Sequence, residues 1–318
     1  MASPAGGAMS LPPAPGKRRK PGRYLALGVM MLPGLLYLLI NNYLPMFGLF
    51  IAFKNVDFAK GVFCSDWVGL ANFKYLFLTS DAWIITRNTI GYNVLFIAVN
   101  LVVAVSLALA LNEVASRKAR RFYQSAMLLP MLISMVIVSY LVYAMLSMET
   151  GFVNQTVLPW LGIGEISWYT ERRYWPYILT MVHTWKGAGF LSVVYYAAIV
   201  GIDQEMFEAA TIDGASRVQQ ITRITLPLLV PVITMMTLMA IGRIFYSDFG
   251  LFYQVPLASG PLMEATSVID TYVYQGLILL GDVGMSSAAG FYQSIVGFLV
   301  VLLSNLLVRK TNPDNALF

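Results

Sequence analysis

The chain has 318 residues, of which 58% are hydrophobic and 12% are charged, and its mean hydropathy is +0.68. Soluble domains carry about 25% charged residues, so the composition predicts an integral membrane protein. The formal net charge of +5 does not indicate nucleic-acid binding, because the basic residues lie in short clusters beside apolar runs, as membrane orientation requires. The single cysteine, Cys64, excludes an intramolecular disulfide, and the single histidine, His183, is too little for the usual metal cluster.

The N-terminal segment, residues 1–23, is rich in Pro, Gly and Ala and ends in a basic cluster, which predicts a disordered cytoplasmic tail. A signal peptide is the alternative, and it is disfavoured because the following apolar run, Leu25 to Phe53, is too long and no small-residue cleavage site follows it. Within that run, Asn41, Asn42 and Pro45 predict that the first span ends or kinks and continues as an interfacial segment.

The next part of the chain alternates between interfacial and apolar segments. Residues 54–87 mix aromatic residues with Gly, Asp and Lys, which predicts an outer segment at the membrane interface. The second and third spans are predicted from about Asn88 to Leu111 and from about Phe122 to Leu146. Asn112 to Arg121, between them, is strongly basic and is therefore predicted to be cytoplasmic.

The second half repeats this alternation. Residues 147–174 are predicted to be an outer loop, and residues 248–287, which carry acidic residues but no Lys or Arg, a second one. The remaining spans are predicted at about Trp175 to Val200, Leu228 to Ser247 and Ala288 to Val308, followed by a cytoplasmic tail at 311–318. The expected fold class is an all-α membrane protein with six transmembrane helices and both termini in the cytoplasm.

The segment between the fourth and fifth spans is the only extended polar, helix-prone stretch in this half of the chain. Asp203 is predicted to cap a first short helix, and Asp213–Gly214 to end it, because Gly enters the left-handed conformation without a Cβ penalty. A second helix is predicted to begin at the capping box formed by Ser216 and Gln219. Pro227 and Pro231 are predicted to close this helix and open the fifth span.

This polar loop, residues 203–227, resembles the EAA loop of the permease subunits of binding-protein-dependent ABC importers. The matching residues are Glu208-Ala209-Ala210, Gly214 after three residues, and Ile224-Thr225-Leu226-Pro227 after nine more. In that family the loop is the coupling helix, which inserts into a groove on a cytoplasmic ATPase. The resemblance implies an ATPase-coupling role for Glu208, Ala209, Ala210, Asp213, Gly214, Ile224, Leu226 and Pro227. The alternative is an amphipathic helix that lies on the membrane or against its own bundle.

Other segments extend the resemblance over nearly the whole chain after residue 23. Trp67 to Phe73 resembles a segment common in sugar-type importer permeases. Ser247 to Pro256, Val268 to Tyr274, Ala288 to Ser294 and Asn315 to Phe318 resemble the polysaccharide-type permeases of Gram-positive bacteria, which belong to the maltose-type group. The resemblance implies a permease domain over residues 24–310, in the bacterial cell membrane.

The same resemblance implies a set of partners. A second, related permease would complete a heterodimer, two copies of a cytoplasmic ATPase would hold ATP and Mg, and an extracellular binding protein would deliver the sugar. No Walker A pattern occurs in the sequence, so the chain is predicted not to hydrolyse ATP itself and to hold no cofactor.

Polar and aromatic residues in or near the spans are candidates for a substrate path, because intramembrane charges mark pathways and aromatic and amide side chains suit sugars. The candidates are Lys186, Arg243, Tyr246, Asp248, Tyr253, Gln254, Tyr292 and Gln293. An interhelical bond or snorkelling to the surface is the alternative for the two cations. Tyrosines also occupy every membrane interface without a ligand.

The sequence therefore predicts the permease subunit of an ATP-driven oligosaccharide importer. Within that class, a glycerol phosphate ester or a monosaccharide is the alternative cargo. Two other classes stay open: a secondary transporter, which would need an ion-coupling site and usually an internal repeat, and a membrane enzyme acting on lipid-linked sugars, which would need paired carboxylates or a metal cluster.

Overall fold

The computed structural model describes residues 21–78 and 80–311. The predicted N-terminal tail lies outside the described residues apart from its last three, which begin the first helix, and the predicted C-terminal tail lies outside them apart from residue 311. The described part is helical except for loops and one small ribbon, in which β1, Lys54–Asn55, pairs antiparallel with β2, Asp66–Trp67. The predicted all-α class is confirmed.

The chain divides into two compact units, residues 1–50 and 51–318. In the first, α1, Pro21–Leu38, is followed by a π turn at Leu39–Tyr43 and by α2, Leu44–Met46. The π turn lies just before Pro45, which has no N–H to donate to a carbonyl of the preceding turn. Nearby, Asn41 Nδ2 donates to the Tyr37 carbonyl at 3.0 Å. The helix type thus changes where the kink is predicted, but Leu27–Phe53 still counts as one candidate span, so the kink and the interfacial continuation stay predictions.

The second unit begins with a small polar framework around β1 and β2. Helix α3, Ala71–Leu78, is tied to it by Asn72, whose Nδ2 donates to the carbonyls of Ala52 and Lys54, at 2.9 Å each. Lys54 Nζ donates to the carbonyl of Phe63 at 2.6 Å. Side-chain bonds to backbone carbonyls thus hold this segment in one conformation.

Two long helices form the centre of the second unit. Helix α4, Ser80–Glu113, contains the predicted second span, and α8, Trp175–Val200, has the predicted bounds of the fourth. Small side chains on α4, among them Ala104 and Ala108, are fully buried against Tyr195 and Ile199 of α8. Small residues let helix backbones approach closely, as in helix packing within membranes.

The third span differs from the prediction of one continuous helix. Helix α5, Arg117–Leu132, and α6, Met135–Leu146, meet at a break where the axis bends by 96°. Pro130 cannot donate a helical hydrogen bond, and the Ser134 side chain caps α6 by accepting from the Ile137 N–H at 3.4 Å. Pro130 in the last turn of α5 thus lies four residues before Ser134, which caps the start of α6.

The fifth span also differs from prediction. Helix α9 spans Gln204–Ile212, and α10, Arg217–Gln220, then passes through a π turn at Ile221–Thr225 into α11, Leu226–Ile241, without a break. The prediction that the prolines close the second helix is wrong. Pro227 occupies the first turn of α11, where its missing N–H costs nothing because the preceding turn is the wider π form.

The remaining helices are short apart from the last. They are α7, Leu158–Trp160, α12, Met263–Thr266, α13, Ile269–Ile278, and α14, Val283–Thr311. In the described part of the chain, four helices are long and apolar enough to cross a membrane, or up to six if each of two bent pairs counts as one span. The bent pairs are α5 with α6, and α8 with α9.

The crossing of α5 and α8 gives a test of packing. A Cβ at Gly189 would overlap the carbonyl oxygen of Met127, whereas a Cβ at Gly91 would meet nothing within 4 Å. We expect Gly189→Ala to lower the thermal unfolding temperature of the detergent-solubilised protein by several degrees, because the helices must move apart. Gly91→Ala is the matched control and is expected to leave it unchanged. Equal unfolding temperatures for the two variants would contradict the close crossing.

Candidate coupling loop and transport path

The first half of the polar loop is organised by a cap at each end of α9. Asp203 Oδ1 accepts from the Glu205 N–H at 3.0 Å. At the other end Gly214 has φ of +79°, and the Ala215 N–H donates to the Ala210 carbonyl at 2.9 Å. This is the glycine-centred ending that satisfies the last helical carbonyls. The predicted helix and turn are confirmed.

The second half begins with the predicted capping box. The Gln219 N–H donates to Ser216 Oγ at 3.4 Å, and the Ser216 N–H donates to Gln219 Oε1 at 2.7 Å. The buried Gln220 then braces α10 against α9, because its Nε2 donates to Thr211 Oγ1 at 3.0 Å. Sequence reasoning missed Gln220, since its partner lies across the turn and no local pattern marks it.

The loop presents an apolar patch among its polar residues. Ile212 is 86% exposed, Val218 68% and Met206 45%. Among the residues predicted for ATPase coupling, Glu208, Ala209, Asp213, Gly214 and Pro227 are exposed, and Ala210, Ile224 and Leu226 are half-buried. Sequence reasoning missed Ile212, although an apolar residue directly before the Asp213–Gly214 turn was a usable signal. Exposed apolar side chains rimmed by polar ones are typical of protein interaction sites.

A cavity of about 390 Å³ lies among α4, α8, α11 and the break between α5 and α6. Four of the predicted path residues, Lys186, Arg243, Tyr246 and Asp248, line it together. Its volume falls within the range of about 300–1,000 Å³ that small-molecule sites occupy. Lys186 lies on α8 and the other three lie close together on the turns that follow α11, so the fold brings two distant segments to one space.

Lys186 has backbone partners inside this cavity. Its Nζ donates to the carbonyls of Pro130, at 3.3 Å, and Met131, at 3.2 Å, and to that of Ile133. These carbonyls belong to the end of α5 and the break after it, where no following helical turn supplies donors. The ammonium group therefore stabilises the broken third span, which is the interhelical alternative considered for this residue.

Two asparagines of α4 also line the cavity, and sequence reasoning missed both. Asn93 Nδ2 donates to the carbonyls of Thr89, at 2.8 Å, and Ile244, at 2.9 Å, so it joins α4 to the turns that follow α11. Asn100 is 7% exposed, and its Oδ1 has no hydrogen-bond partner among the described residues. The ring of His183 stacks on Phe96, with centroids 4.0 Å apart.

The other four predicted path residues lie outside the cavity lining. The Tyr253 ring stacks on Phe249, and the Tyr292 ring meets Phe77 edge to face. Gln293 is buried and donates to the Phe245 carbonyl at 2.6 Å, and Gln254 is half-buried. They pack the segment that connects α11 to α14, and their substrate role stays a prediction.

A buried carboxyl holds this outer segment together. Asp270 accepts from the Ser247 N–H at 2.7 Å and from Gln293 Nε2 at 3.2 Å. Burial raises its pKa, and the hydrogen bonds from Ser247 and Gln293 only partly oppose that shift. Sequence reasoning counted Asp270 as one more acidic residue of an outer loop.

This raised pKa gives a pH prediction. A folded-state pKa above the unfolded value means that the carboxyl contributes most stability when protonated, and that this contribution falls as the pH rises through the folded pKa. Asp270→Asn stays neutral, so we expect the unfolding temperature of the unchanged protein to rise relative to that of the variant as the pH falls through the folded pKa of the carboxyl. Thermal unfolding from neutral pH downwards measures this difference, and a difference that does not change with pH would count against the assignment.

The fold and these two sites define a class of protein: a helical membrane transporter subunit with an exposed helix-turn-helix on one side and a polar cavity among its spans. Residues 100–313 match the family model described as "Binding-protein-dependent transport system inner membrane component". The chain therefore belongs to this family of importer permeases. It is a membrane protein and a transport component, as the sequence predicts.

Curated relatives and solved structures agree with this assignment. The chain is 32% identical over 292 residues to the polygalacturonan/rhamnogalacturonan transport system permease YteP of Bacillus subtilis (strain 168), covering 92% of this chain and 89% of that one. It is 33% identical to protein LplB of the same organism, covering 91% and 90%. It is also similar to a chain of a bacterial ABC transporter that imports the acidic polysaccharide alginate, with a TM-score of 0.83, 34% identity, and 92% and 97% coverage.

Proposed function

We propose that this chain is one of two related permease subunits of an ATP-driven importer for oligosaccharides. The observation that carries the proposal is the exposed, internally braced helix-turn-helix of α9 and α10, which continues without a break into a helix lining the cavity. Such an arrangement suits the transmission of movement from a cytoplasmic ATPase, through the loop, to the helix that lines the cavity. In the proposed topology, residues 24–310 form six spans, residues 1–23 and 311–318 are tails, and both termini are cytoplasmic.

The proposed partners follow from the loop and from the family. Two copies of an ATPase, which bind ATP and Mg, dock on the loop at residues 203–227 of this permease and of its counterpart. A binding protein delivers cargo at the outer face, as in the solved alginate transporter bound to a pentasaccharide-loaded periplasmic protein. Closure of the ATPase pair draws the two loops together and opens the path outward, and ATP hydrolysis resets it.

The cargo class rests on the relatives. The transport systems of these relatives are named for polygalacturonan or rhamnogalacturonan, arabinooligosaccharides, and trehalose or maltose, all of them carbohydrates of more than one sugar unit. The cavity adds aromatic rings and amide side chains, which suit sugar faces and hydroxyl groups. A glycerol phosphate ester or a monosaccharide is the alternative cargo.

Co-purification tests the proposal. The tagged chain is extracted from its native host in a mild detergent, and the associated proteins are identified by mass spectrometry. We expect an ATP-binding subunit and a second, related permease in the purified complex, and ATP hydrolysis that rises when a binding protein loaded with oligosaccharide is added. A chain that purifies alone, and transports after reconstitution without ATP, would instead support the secondary-transporter alternative.

A further inference from the structure

The cavity carries charge that its own residues do not neutralise. Two cations, Lys186 and Arg243, and one carboxylate, Asp248, line it. The partners of Lys186 are neutral carbonyls, so its charge remains, and Asp248 Oδ1 accepts from the Leu251 N–H at 3.2 Å. With the neutral form of His183, the lining has a net positive charge. A charge at membrane depth is costly and marks a pathway.

Arg243 is the cation whose donors are available. Its side chain is exposed, and within residues 21–78 and 80–311 its guanidinium makes no ion pair and no side-chain hydrogen bond. Lys186, by contrast, donates to backbone carbonyls at the break between α5 and α6. A guanidinium presents paired N–H groups whose spacing matches the two oxygens of a carboxylate.

The same cavity contains a buried acceptor without a hydrogen-bond donor among the described residues. Asn100 Oδ1 is buried among the lining residues without a hydrogen-bond donor, and a buried acceptor left unpaired costs free energy. A sugar hydroxyl would supply that donor. The exposed rings of Phe190 and Tyr246 line the same cavity and offer apolar faces for the C–H surface of a sugar.

We propose that the cavity passes an anionic oligosaccharide whose sugar units carry carboxylates, and that Arg243 is the residue that selects for this charge. This inference rests on the proposed function, because it names the cargo class of the same path. A phosphate ester would also pair with a guanidinium. The carboxylate is chosen because the lining combines one free cation with an acceptor for a hydroxyl and with two exposed aromatic rings, which a sugar unit would use together.

The test compares acids with their neutral esters on the complete transporter. The complex is purified with its partner subunits and binding protein and reconstituted in liposomes. Uptake and ATP hydrolysis are measured with trisaccharides of galacturonate, mannuronate and glucuronate and with the methyl ester of each, which keeps the ring and the length but removes the charge. We expect at least one acid to be taken up with a KM about tenfold or more below that of its ester.

Variants then assign the effect to Arg243. We expect Arg243→Gln to raise the KM for the acid about tenfold or more and to leave that for the ester unchanged, and Arg243→Lys to keep part of the preference. Arg173→Gln, the same change at an exposed residue outside the cavity, is the matched control. Titration of the isolated binding protein with acid and ester separates its own selectivity from that of the permease.

Several results would overturn the inference. Equal or better uptake of the esters by the unchanged complex would do so, and this result does not depend on the folding of any variant. ATP hydrolysis stimulated by glycerol 3-phosphate and by none of the sugars would also overturn it. An equal loss for acid and ester in Arg243→Gln would assign the residue to structure. If neutral oligosaccharides are taken up and acidic ones are not, only this inference fails. If no oligosaccharide is taken up, the proposed function fails with it.

Discussion

Replacing Ile212 by aspartate is expected to separate this chain from its ATPase without unfolding it. The side chain is 86% exposed at the end of α9, so the change removes no internal packing. If the loop docks on an ATPase, Ile212 becomes a buried apolar anchor there, and truncating or charging such a residue costs about 2 kcal/mol or more, roughly thirtyfold in affinity. We expect normal insertion, an unchanged unfolding temperature and loss of the co-purified ATPase.

Two further variants sharpen this result. Ile212→Met keeps an apolar side chain and is expected to retain the ATPase. Gly214→Pro keeps the apolar patch but destroys the turn, because proline fixes φ near −65° and Gly214 requires +79°. We expect uptake to be lost in Gly214→Pro and, through reversal of an exposed charge, weakened in Glu208→Lys. If Ile212→Asp and Gly214→Pro both retain the ATPase and uptake, the loop is not the docking site.

The second large effect is expected for Lys186→Met. Methionine fills a similar volume but leaves the carbonyls of Pro130, Met131 and Ile133 without their common donor. The Pro130 carbonyl keeps the Ile133 N–H as a donor at 3.3 Å and Met131 is exposed, so the Ile133 carbonyl loses most; an acceptor left unpaired away from water costs about 1–3 kcal/mol. We expect a fall of several degrees in the unfolding temperature together with a large loss of uptake, because the break between α5 and α6 forms one wall of the cavity.

The unfolding temperature and the KM for cargo distinguish the two roles considered for Lys186, an interhelical bond and a contact with substrate. Lys186→Arg, which can still donate to carbonyls, is expected to recover most of the stability. Lys118→Met, the same substitution at an exposed residue of α5, is the control and is expected to have no effect. An unchanged unfolding temperature in Lys186→Met with a higher KM for cargo would instead make Lys186 a substrate-binding residue.

The parts of the fold that the sequence predicts well are those set by neighbouring residues. The Asp203 cap, the left-handed Gly214 and the capping box from Ser216 to Gln219 each depend on atoms within a few positions of one another. The bounds of α8 were predicted because a largely apolar run of that length has few alternatives in a membrane, even with His183 and Lys186 in it. Their function in coupling stays a prediction.

The contacts that build the cavity could not be predicted in this way. The Lys186 bonds join residues more than fifty positions apart, and the Asn93 bond to Ile244 joins residues 151 positions apart. The effects of two prolines were predicted wrongly. Pro130 lies in a predicted continuous span and contributes to a sharp break, whereas Pro227 was predicted to close a helix and lies in an unbroken one. Whether a proline breaks a helix depends on the width of the preceding turn and on a donor elsewhere in the fold, and neither is visible locally.

The unbroken helix from Arg217 to Ile241 has a mechanical consequence. Its 25 residues form a rod of about 37 Å at 1.5 Å per residue, with the loop of residues 203–227, proposed to dock on the ATPase, at one end and the level of Arg243 just past the other. Because this helix is continuous, a small rotation at its Arg217 end displaces its Ile241 end in proportion to the length of the helix. A tilt of about 10° would carry the outer end through about 6 Å, enough to move the guanidinium across the width of a sugar ring.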